Sequence, residues 1–198
     1  MPMTAIRPLL LPVALMTLIV VVSNISVQHP VRLFGLDQHL TWGAIIYPIS
    51  FLVTDLTNRR YGVTVARRLV IVGFVVAVAL SAVLATPRIA LASGTAFLVG
   101  QLLDVTVFNR LRAMSWWRAP LIASLVGSVI DTALFFSLAF AGFEPMSAII
   151  PTVVGPAPLW VNLAIWDGVV KIAVALVALL PYGALLSVVR PVEQVRAA

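Results

Sequence analysis

Four aspartates and one lysine attract attention because they lie within, or at the edge of, long apolar runs. They are Asp55, Asp104, Asp131, Asp167 and Lys171. A charged side chain at the centre of a membrane helix costs about 2.5 to 3.5 kcal/mol on insertion scales, so such groups usually mark a site that binds or relays something. These five residues are therefore the first candidates for a polar site.

Each of the four acids shares a predicted helix face with hydrogen-bonding, aromatic or small residues. Read at helical spacing, the faces are Pro48, Phe51, Asp55 and Asn58; Phe97, Gln101, Asp104 and Phe108; Ser124, Gly127, Asp131 and Phe135; and Trp160, Asp167 and Lys171. If these faces meet inside a helical bundle, they would rim the kind of central aqueous cavity that solute transporters use.

The acids differ in their predicted depth. Asp55 and Asp104 come within a turn or two of an arginine-rich end, where water or nearby arginines would solvate them. Asp131, Asp167 and Lys171 come near the middle of their runs. Lys171 follows Asp167 by four residues, the order that favours an ion pair on one helix turn, and such a pair could simply neutralise itself. Asp131 is then predicted to contact a polar solute directly and, if transport is coupled to protons, to carry the proton.

Composition defines the class of protein to which these acids belong. Hydrophobic residues make up 62% of the 198 positions, charged residues only 10%, and the mean hydropathy is +1.10. This predicts an integral membrane protein. The excess of 13 Lys and Arg over 7 Asp and Glu lies in short loops, which is a topology signal and argues against a nucleic-acid partner.

Metal and thiol chemistry find no support in the sequence. The absence of cysteine excludes disulfides, thiol catalysis and cysteine-based metal sites. His29 and His39 fall in one predicted loop with only Asp37 as a nearby acid, and we interpret them as solvated loop residues. No metal or other cofactor is expected.

The apolar runs predict an all-α, polytopic membrane protein with six transmembrane helices in one domain over residues 1–198. The predicted spans are about residues 9–25, 41–58, 64–84, 89–108, 120–141 and 159–189. Pro48 and Pro181 are predicted kink points, and Gly100 and Gly127 would allow helices to approach closely. The Pro-rich connection before the last span is predicted to be re-entrant or interfacial. Asn24 lies on a polar stripe of the first span that either turns toward the site or bonds a neighbouring helix.

Arginines predict the orientation of these spans. When the arginines in alternate loops are counted, two, Arg32 and Arg88, fall on one side of the membrane and ten on the other. The ten are Arg7, Arg59, Arg60, Arg67, Arg68, Arg110, Arg112, Arg118, Arg190 and Arg196. The arginine-rich side is the cytoplasmic one, so both termini are expected in the cytoplasm.

Several motifs resemble the bacterial queuosine precursor transporter family. They are YPISFLVTDLTNRRYG from Tyr47, GQLLDVTVFNRLR from Gly100, WWRAPLIASLVGSVIDT from Trp116, WDGVVK from Trp166, and the shorter SN at Ser23 and LPYGALL from Leu180. The motifs follow the family's order over nearly the whole chain. The resemblance implies a six-helix inner-membrane protein that imports 7-cyano-7-deazaguanine or 7-aminomethyl-7-deazaguanine for tRNA modification.

A deazaguanine offers an N–H and an amino group side by side, which one carboxylate can accept, together with an oxo group and a flat face that stacks on aromatic rings. We expect Asp131 or Asp167 to take the carboxylate role. Lys171, Asn109 or Gln101 would contact the oxo group, and Phe135 or Trp166 would stack. The remaining candidates are Asp104, Asp55, Asn58 and Asn24.

Two alternatives to an autonomous transporter are considered. One is a substrate-capture subunit that depends on a separate ATPase module, and the other is an intramembrane enzyme in which two aspartates share a proton. No nucleophile constellation supports the enzyme. A homo-oligomer is possible in either case.

Overall fold

The computed structural model describes residues 9–33, 36 and 39–189. Seven helices and one two-stranded hairpin follow each other along the chain. The helices are α1 Leu10–Ser26, α2 Trp42–Ile46, α3 Ile49–Tyr61, α4 Val63–Leu84, α5 Pro87–Leu111, α6 Arg118–Phe140 and α7 Leu159–Leu185, and the strands are β1 Ile149–Thr152 and β2 Gly155–Pro158. Arg7, Arg190 and Arg196, on which part of the predicted orientation depends, lie outside the described residues.

Within the described part of the chain, four helices, α4 to α7, are long and apolar enough to cross a membrane. Helix α1 is apolar but shorter, with 17 residues. The bounds of these five helices agree with five of the predicted spans to within a few residues. The protein is therefore a mostly helical, multi-pass membrane protein.

The second predicted span is divided into α2 and α3 at Tyr47 and Pro48. Proline lacks a backbone N–H and cannot continue the hydrogen-bond ladder of a helix, so α3 begins anew at Ile49. The predicted kink at Pro48 is thus confirmed as a break. Helix α3 then continues to Tyr61 and ends at Gly62, whose φ of 83° suits glycine and turns the chain directly into α4.

The connection between α6 and α7 forms a short hairpin, which the sequence did not predict, within a fold that is otherwise helical in the described residues. Strands β1 and β2 pair in antiparallel register, Ile149 opposite Pro158 and Thr152 opposite Gly155. The Thr152 hydroxyl donates to the Gly155 carbonyl at 2.6 Å and closes the turn. The prolines of this segment disfavour a helix but are tolerated in a two-stranded ribbon, in which both strands are edges.

The contact between α5 and α6 depends on two glycines, as predicted. A Cβ added to Gly127 would lie 2.9 Å from the Gly100 carbonyl oxygen and 3.1 Å from the Asp104 Cβ. A Cβ added to Gly100 would lie 2.9 Å from the Asp131 Cβ. Each glycine therefore packs against an aspartate of the opposite helix, and the two antiparallel helices approach to backbone contact.

We expect Gly127→Ala to destabilise the protein by about 1 to 3 kcal/mol, because the new methyl group would overlap the rigid Gly100 carbonyl and the Phe51 ring, 2.8 Å away. The matched control is Gly168→Ala, since a Cβ at Gly168 meets nothing within 4 Å. Thermal unfolding of the purified variants in detergent measures the difference. Equal melting temperatures for the two variants would contradict the packing described here.

Candidate functional site

Three charged side chains meet in the interior between α6 and α7. The Lys171 Nζ lies 2.7 Å from Asp131 Oδ2 and 2.6 Å from Asp167 Oδ2. It also donates to the Thr132 hydroxyl at 2.9 Å. All four residues are buried. The predicted pair of Asp167 and Lys171 is confirmed, and it is extended by an acid from the neighbouring helix.

Tyr47 completes this group from the break between α2 and α3. Its hydroxyl donates to Asp131 Oδ1 at 2.7 Å, and its ring centroid lies 5.4 Å from the Lys171 Nζ. The Thr132 hydroxyl donates to Asp167 Oδ2 at 2.6 Å. We call Tyr47, Asp131, Thr132, Asp167 and Lys171 the middle cluster. With both acids ionised it carries one net negative charge.

Asp131 therefore differs from the sequence interpretation in one respect. It was expected to be a ligand apart from the Asp167 and Lys171 pair, but both of its oxygens are already engaged, one by Lys171 and one by Tyr47. The reason is that α6 packs beside α7 and places Asp131 within reach of the lysine. A polar solute would bind Asp131 by exchanging these partners.

Asp55 and Asp104 form a second buried group, which we call the inner pair. Asp55 is 1% exposed and Asp104 0%. The Ser124 hydroxyl donates to Asp55 Oδ2 at 3.3 Å. Among the residues that the structure describes, Asp55 Oδ1 and both oxygens of Asp104 have no donor in hydrogen-bond range.

The expectation that nearby arginines would solvate these two acids is wrong for Arg59, which donates to the Tyr182 hydroxyl of α7 at 3.3 Å. Arg60 donates to the Val188 carbonyl, just beyond α7, at 2.8 Å. Arg110 is exposed. The close contact of α5 and α6 covers Asp104 and keeps water away from it.

Gln101 and Asn58 link α3 to α5. The Gln101 amide donates to the Ser50 hydroxyl at 2.8 Å and accepts from the Thr54 hydroxyl at 2.7 Å. The Asn58 amide donates to the Val105 carbonyl at 3.1 Å. The predicted polar faces of α3 and α5 therefore do meet. Both ends of the Gln101 amide fix the two helices together, and its expected contact with an oxo substituent stays a prediction.

Three other predicted residues lie in different surroundings. Asn24 accepts a hydrogen bond from Ser81 at 3.0 Å, so it bonds α1 to α4 and takes the second of its two predicted roles. Asn109 is exposed. The Phe135 ring packs with Phe136 and Phe140 at centroid distances of 5.1 and 5.8 Å. None of the hydrogen bonds or ring contacts found for these residues joins them to the middle cluster.

Trp166 is covered by the loop before α2. The His39 ring stacks on it at a centroid distance of 5.4 Å, and His39 Nδ1 lies 3.2 Å from the Asn162 amide nitrogen. His39 is thus partly buried, which corrects its interpretation as a solvated residue, whereas His29 is exposed as expected. No sequence signal connects a loop histidine to a tryptophan so far along the chain.

A small cavity lies between the inner pair and the middle cluster. Its wall includes Asp55, Ser124, Ser128 and Lys171, and it extends to Tyr182. The volume is about 10 Å³, on the scale of a single water molecule. The rest of the wall is mostly apolar, with Pro48, Phe51 and Leu52 among its residues, so the space beside Asp55 and Lys171 admits nothing larger than water.

A multi-pass helical bundle with paired charges buried in its interior is an architecture that membrane transporters use. Residues 41–86 and 79–185 match the sequence model of the family described as "Putative vitamin uptake transporter". The chain belongs to this family, and within it to the queuosine precursor transporters, which are transporters and not enzymes.

Three curated relatives support this assignment. The "Queuosine precursor transporter" of Escherichia coli (strain K12) is 37% identical, covering 86% of this chain and 82% of the relative. The "Probable queuosine precursor transporter" of Haemophilus influenzae is 35% identical, covering 86% of this chain and 83% of the relative. The protein of the same name from Bacillus subtilis (strain 168) is 30% identical, covering 82% of this chain and 77% of the relative. No solved structure matches the chain at a significant level.

Proposed function

We propose that this chain imports the 7-deazaguanine precursors of queuosine, 7-cyano-7-deazaguanine and 7-aminomethyl-7-deazaguanine, through the bacterial inner membrane. The names of three relatives support this substrate class. In the proposed topology, α2 and α3 form one span, α1 and α4 to α7 form the other five, and both termini are cytoplasmic. The single observation that carries the proposal is the middle cluster.

The middle cluster offers the groups that a deazaguanine needs. One carboxylate, Asp131 or Asp167, accepts the ring N–H and the adjacent amino group, and the Lys171 ammonium donates to the oxo group. The ring that stacks on the base is Tyr47, in place of Phe135 or Trp166. The Tyr47 ring already lies against Lys171, and its hydroxyl donates to Asp131. Binding exchanges internal hydrogen bonds for similar ones to the base, so the desolvation penalty stays small.

The net charge of the middle cluster also favours these ligands. Two carboxylates and one ammonium leave one net negative charge in a site that is almost closed to water. The aminomethyl precursor carries an ammonium that would balance this charge, while the neutral cyano precursor would bind through its guanine-like edge alone. A net anionic solute would be repelled.

The queuosine content of cellular tRNA tests the proposal. A bacterial strain that cannot make or import the precursors is given a low external dose of either one, with and without this chain. We expect queuosine to be restored only with the chain, and without any added ATPase module, which also separates an autonomous transporter from a capture subunit. If the inserted protein restores queuosine from neither precursor, the proposed substrate class is wrong.

Tyr47→Phe tests the role of Tyr47. The change removes the hydroxyl that donates to Asp131 but keeps the ring against Phe51 and Phe97, so the fold should persist. A hydrogen bond to a charged group contributes about 1.5 to 3 kcal/mol, and the base must displace this one from Asp131, so we expect the KM for uptake to fall by up to about tenfold.

Initial uptake rates measured against substrate concentration give this KM. The matched control is Tyr61→Phe, which removes a hydroxyl that accepts from Arg60 at the end of α3. A KM that rises in Tyr47→Phe would contradict the proposed exchange of partners at Asp131.

A further inference from the structure

The inner pair has a geometry that the middle cluster does not share. Asp131 and Asp167 contact a lysine, whereas Asp55 accepts from a single serine hydroxyl and Asp104 has no donor among the described residues. Asp55 lies against Ser124 and Asp104 against Gly127, one turn further along α6, so the two carboxyl groups face the same stretch of that helix and a hydrogen bond can join them. An ionised carboxylate has no hydrogen to donate, so that bond exists only when one of the two acids holds a proton.

Burial makes two ionised carboxylates untenable at this position. Both residues are at most 1% exposed, and within the described ranges three of their four oxygens lack a donor. Two adjacent negative charges in such surroundings lose hydration and repel each other. A single shared proton removes one charge and supplies the missing hydrogen bond, and this is the behaviour of paired acids in other buried sites.

Among the described residues, no cation forms a salt bridge with Asp55 or Asp104, so a bound proton can take the place of a countercharge. On α3, Arg59 lies one turn beyond Asp55 and is bound to Tyr182 of α7. Helix α6 places the Ser124 hydroxyl beside Asp55. Across the cavity stands Lys171, which is held by Asp131 and Asp167.

The cavity connects the inner pair to the middle cluster. Asp55 and Lys171 belong to the same small cavity wall, which also contains Ser124 and Ser128. Along the contact of α5 and α6, Gly100 packs on Asp131 while Asp104, four residues later, packs on Gly127. Four residues rise about 6 Å in a helix, so the two groups are neighbouring layers of one polar seam.

We propose that Asp55 and Asp104 together bind one proton that is transported with the substrate and drives its uptake. The proposal rests on the proposed function for the identity of the substrate, and it moves the proton-carrying role from Asp131 to the inner pair. The proton binds from the outer side, lowers the charge of the pair from two negative charges to one while the site is closed, and leaves toward the cytoplasm when water reaches Asp55.

The first test needs no substrate. The full-length protein, purified into lipid at neutral pH, should show the infrared C=O stretch of a protonated carboxyl group. We expect this band to disappear in Asp55→Asn and in Asp104→Asn, because an asparagine donates the missing hydrogen bond to the remaining carboxylate. The Asp131→Asn variant should retain the band. A wild-type protein without the band, or a band that only Asp131→Asn removes, would overturn the proposal.

The second test measures coupling in proteoliposomes that contain unlabelled 7-cyano-7-deazaguanine and are placed in a solution of the labelled compound, with the membrane potential clamped at zero. With one proton per substrate, an inward proton gradient of one pH unit should then give about tenfold accumulation by the wild-type protein. Asp104→Asn should still exchange internal for external substrate but no longer raise the internal concentration above the external one. Accumulation driven by sodium and not by protons, or normal proton-driven accumulation by Asp104→Asn, would refute the assignment.

The two tests separate the two proposals. If the wild-type protein moves no deazaguanine at all, the proposed substrate is wrong, and the infrared band alone then decides whether the inner pair holds a proton. If the protein exchanges deazaguanine but ignores the proton gradient, the substrate is right and the coupling proposal fails.

Discussion

Replacing Lys171 with methionine is expected to abolish uptake and to destabilise the protein by about 3 to 5 kcal/mol, because removing one partner of a buried ion pair leaves an uncompensated charge. Here two carboxylates lose their countercharge, since the same ammonium contacts both Asp131 and Asp167. Methionine has a similar length and keeps the packing, which isolates the effect of the charge. Thermal unfolding in detergent and queuosine content of tRNA measure the two expectations.

The double variant Lys171→Met with Asp167→Asn separates stability from transport. It removes one negative charge along with the positive one, so the unfolding temperature should recover in part relative to Lys171→Met alone. Uptake should stay absent, because the group that donates to the substrate is still missing. A Lys171→Met protein that unfolds at the wild-type temperature would show that the lysine does not stabilise the two acids.

Asp131→Asn is expected to reduce uptake by about 100-fold or more while leaving membrane insertion and folding intact. Asparagine has the same shape, its side-chain oxygen can still accept from Tyr47, and Lys171 keeps Asp167 as its partner. What is lost is the paired acceptor for the two donors of the base.

Initial uptake rates and direct binding of labelled precursor to the purified variant test this expectation. Asn109→Ala is the control, because Asn109 is exposed and carried the same prediction of substrate contact from sequence alone. Normal uptake by Asp131→Asn would remove Asp131 from the mechanism. A loss of uptake in Asn109→Ala would restore that residue to the site.

The helices were largely predictable because hydropathy and breakers are local properties. The polar face with Phe97, Gln101, Asp104 and Phe108 on α5 is buried along its whole length, as its spacing predicted. The hairpin before α7 was missed, since pairing between strands depends on residues that the sequence does not place beside each other. The six-span topology, the cytoplasmic termini and the homo-oligomer stay predictions.

The site was only partly predictable, and the reason is again the distance along the chain. The Asp167 and Lys171 contact follows from a four-residue spacing on one helix. The contact from Tyr47 to Asp131 joins positions 84 residues apart, and an apolar run with a tyrosine at its break gives no hint of it. The lack of donors for three of the four oxygens of the inner pair, seen among the described residues, could not be inferred either. Arginines near these acids in the sequence suggested the opposite.

The glycine contacts between α5 and α6 have a consequence for motion. Because each glycine has an aspartate or a carbonyl directly above it, sliding one helix along the other would drive backbone into side chain. We therefore expect α5 and α6 to behave as a stationary frame that carries Asp104 and Asp131 at fixed separation. The moving part is then α7, because hydrogen bonds of Gln101 and Asn58 tie α3 to α5. Each movement of α7 would break the contact of Lys171 with Asp131, while its contact with Asp167 travels along on the same helix.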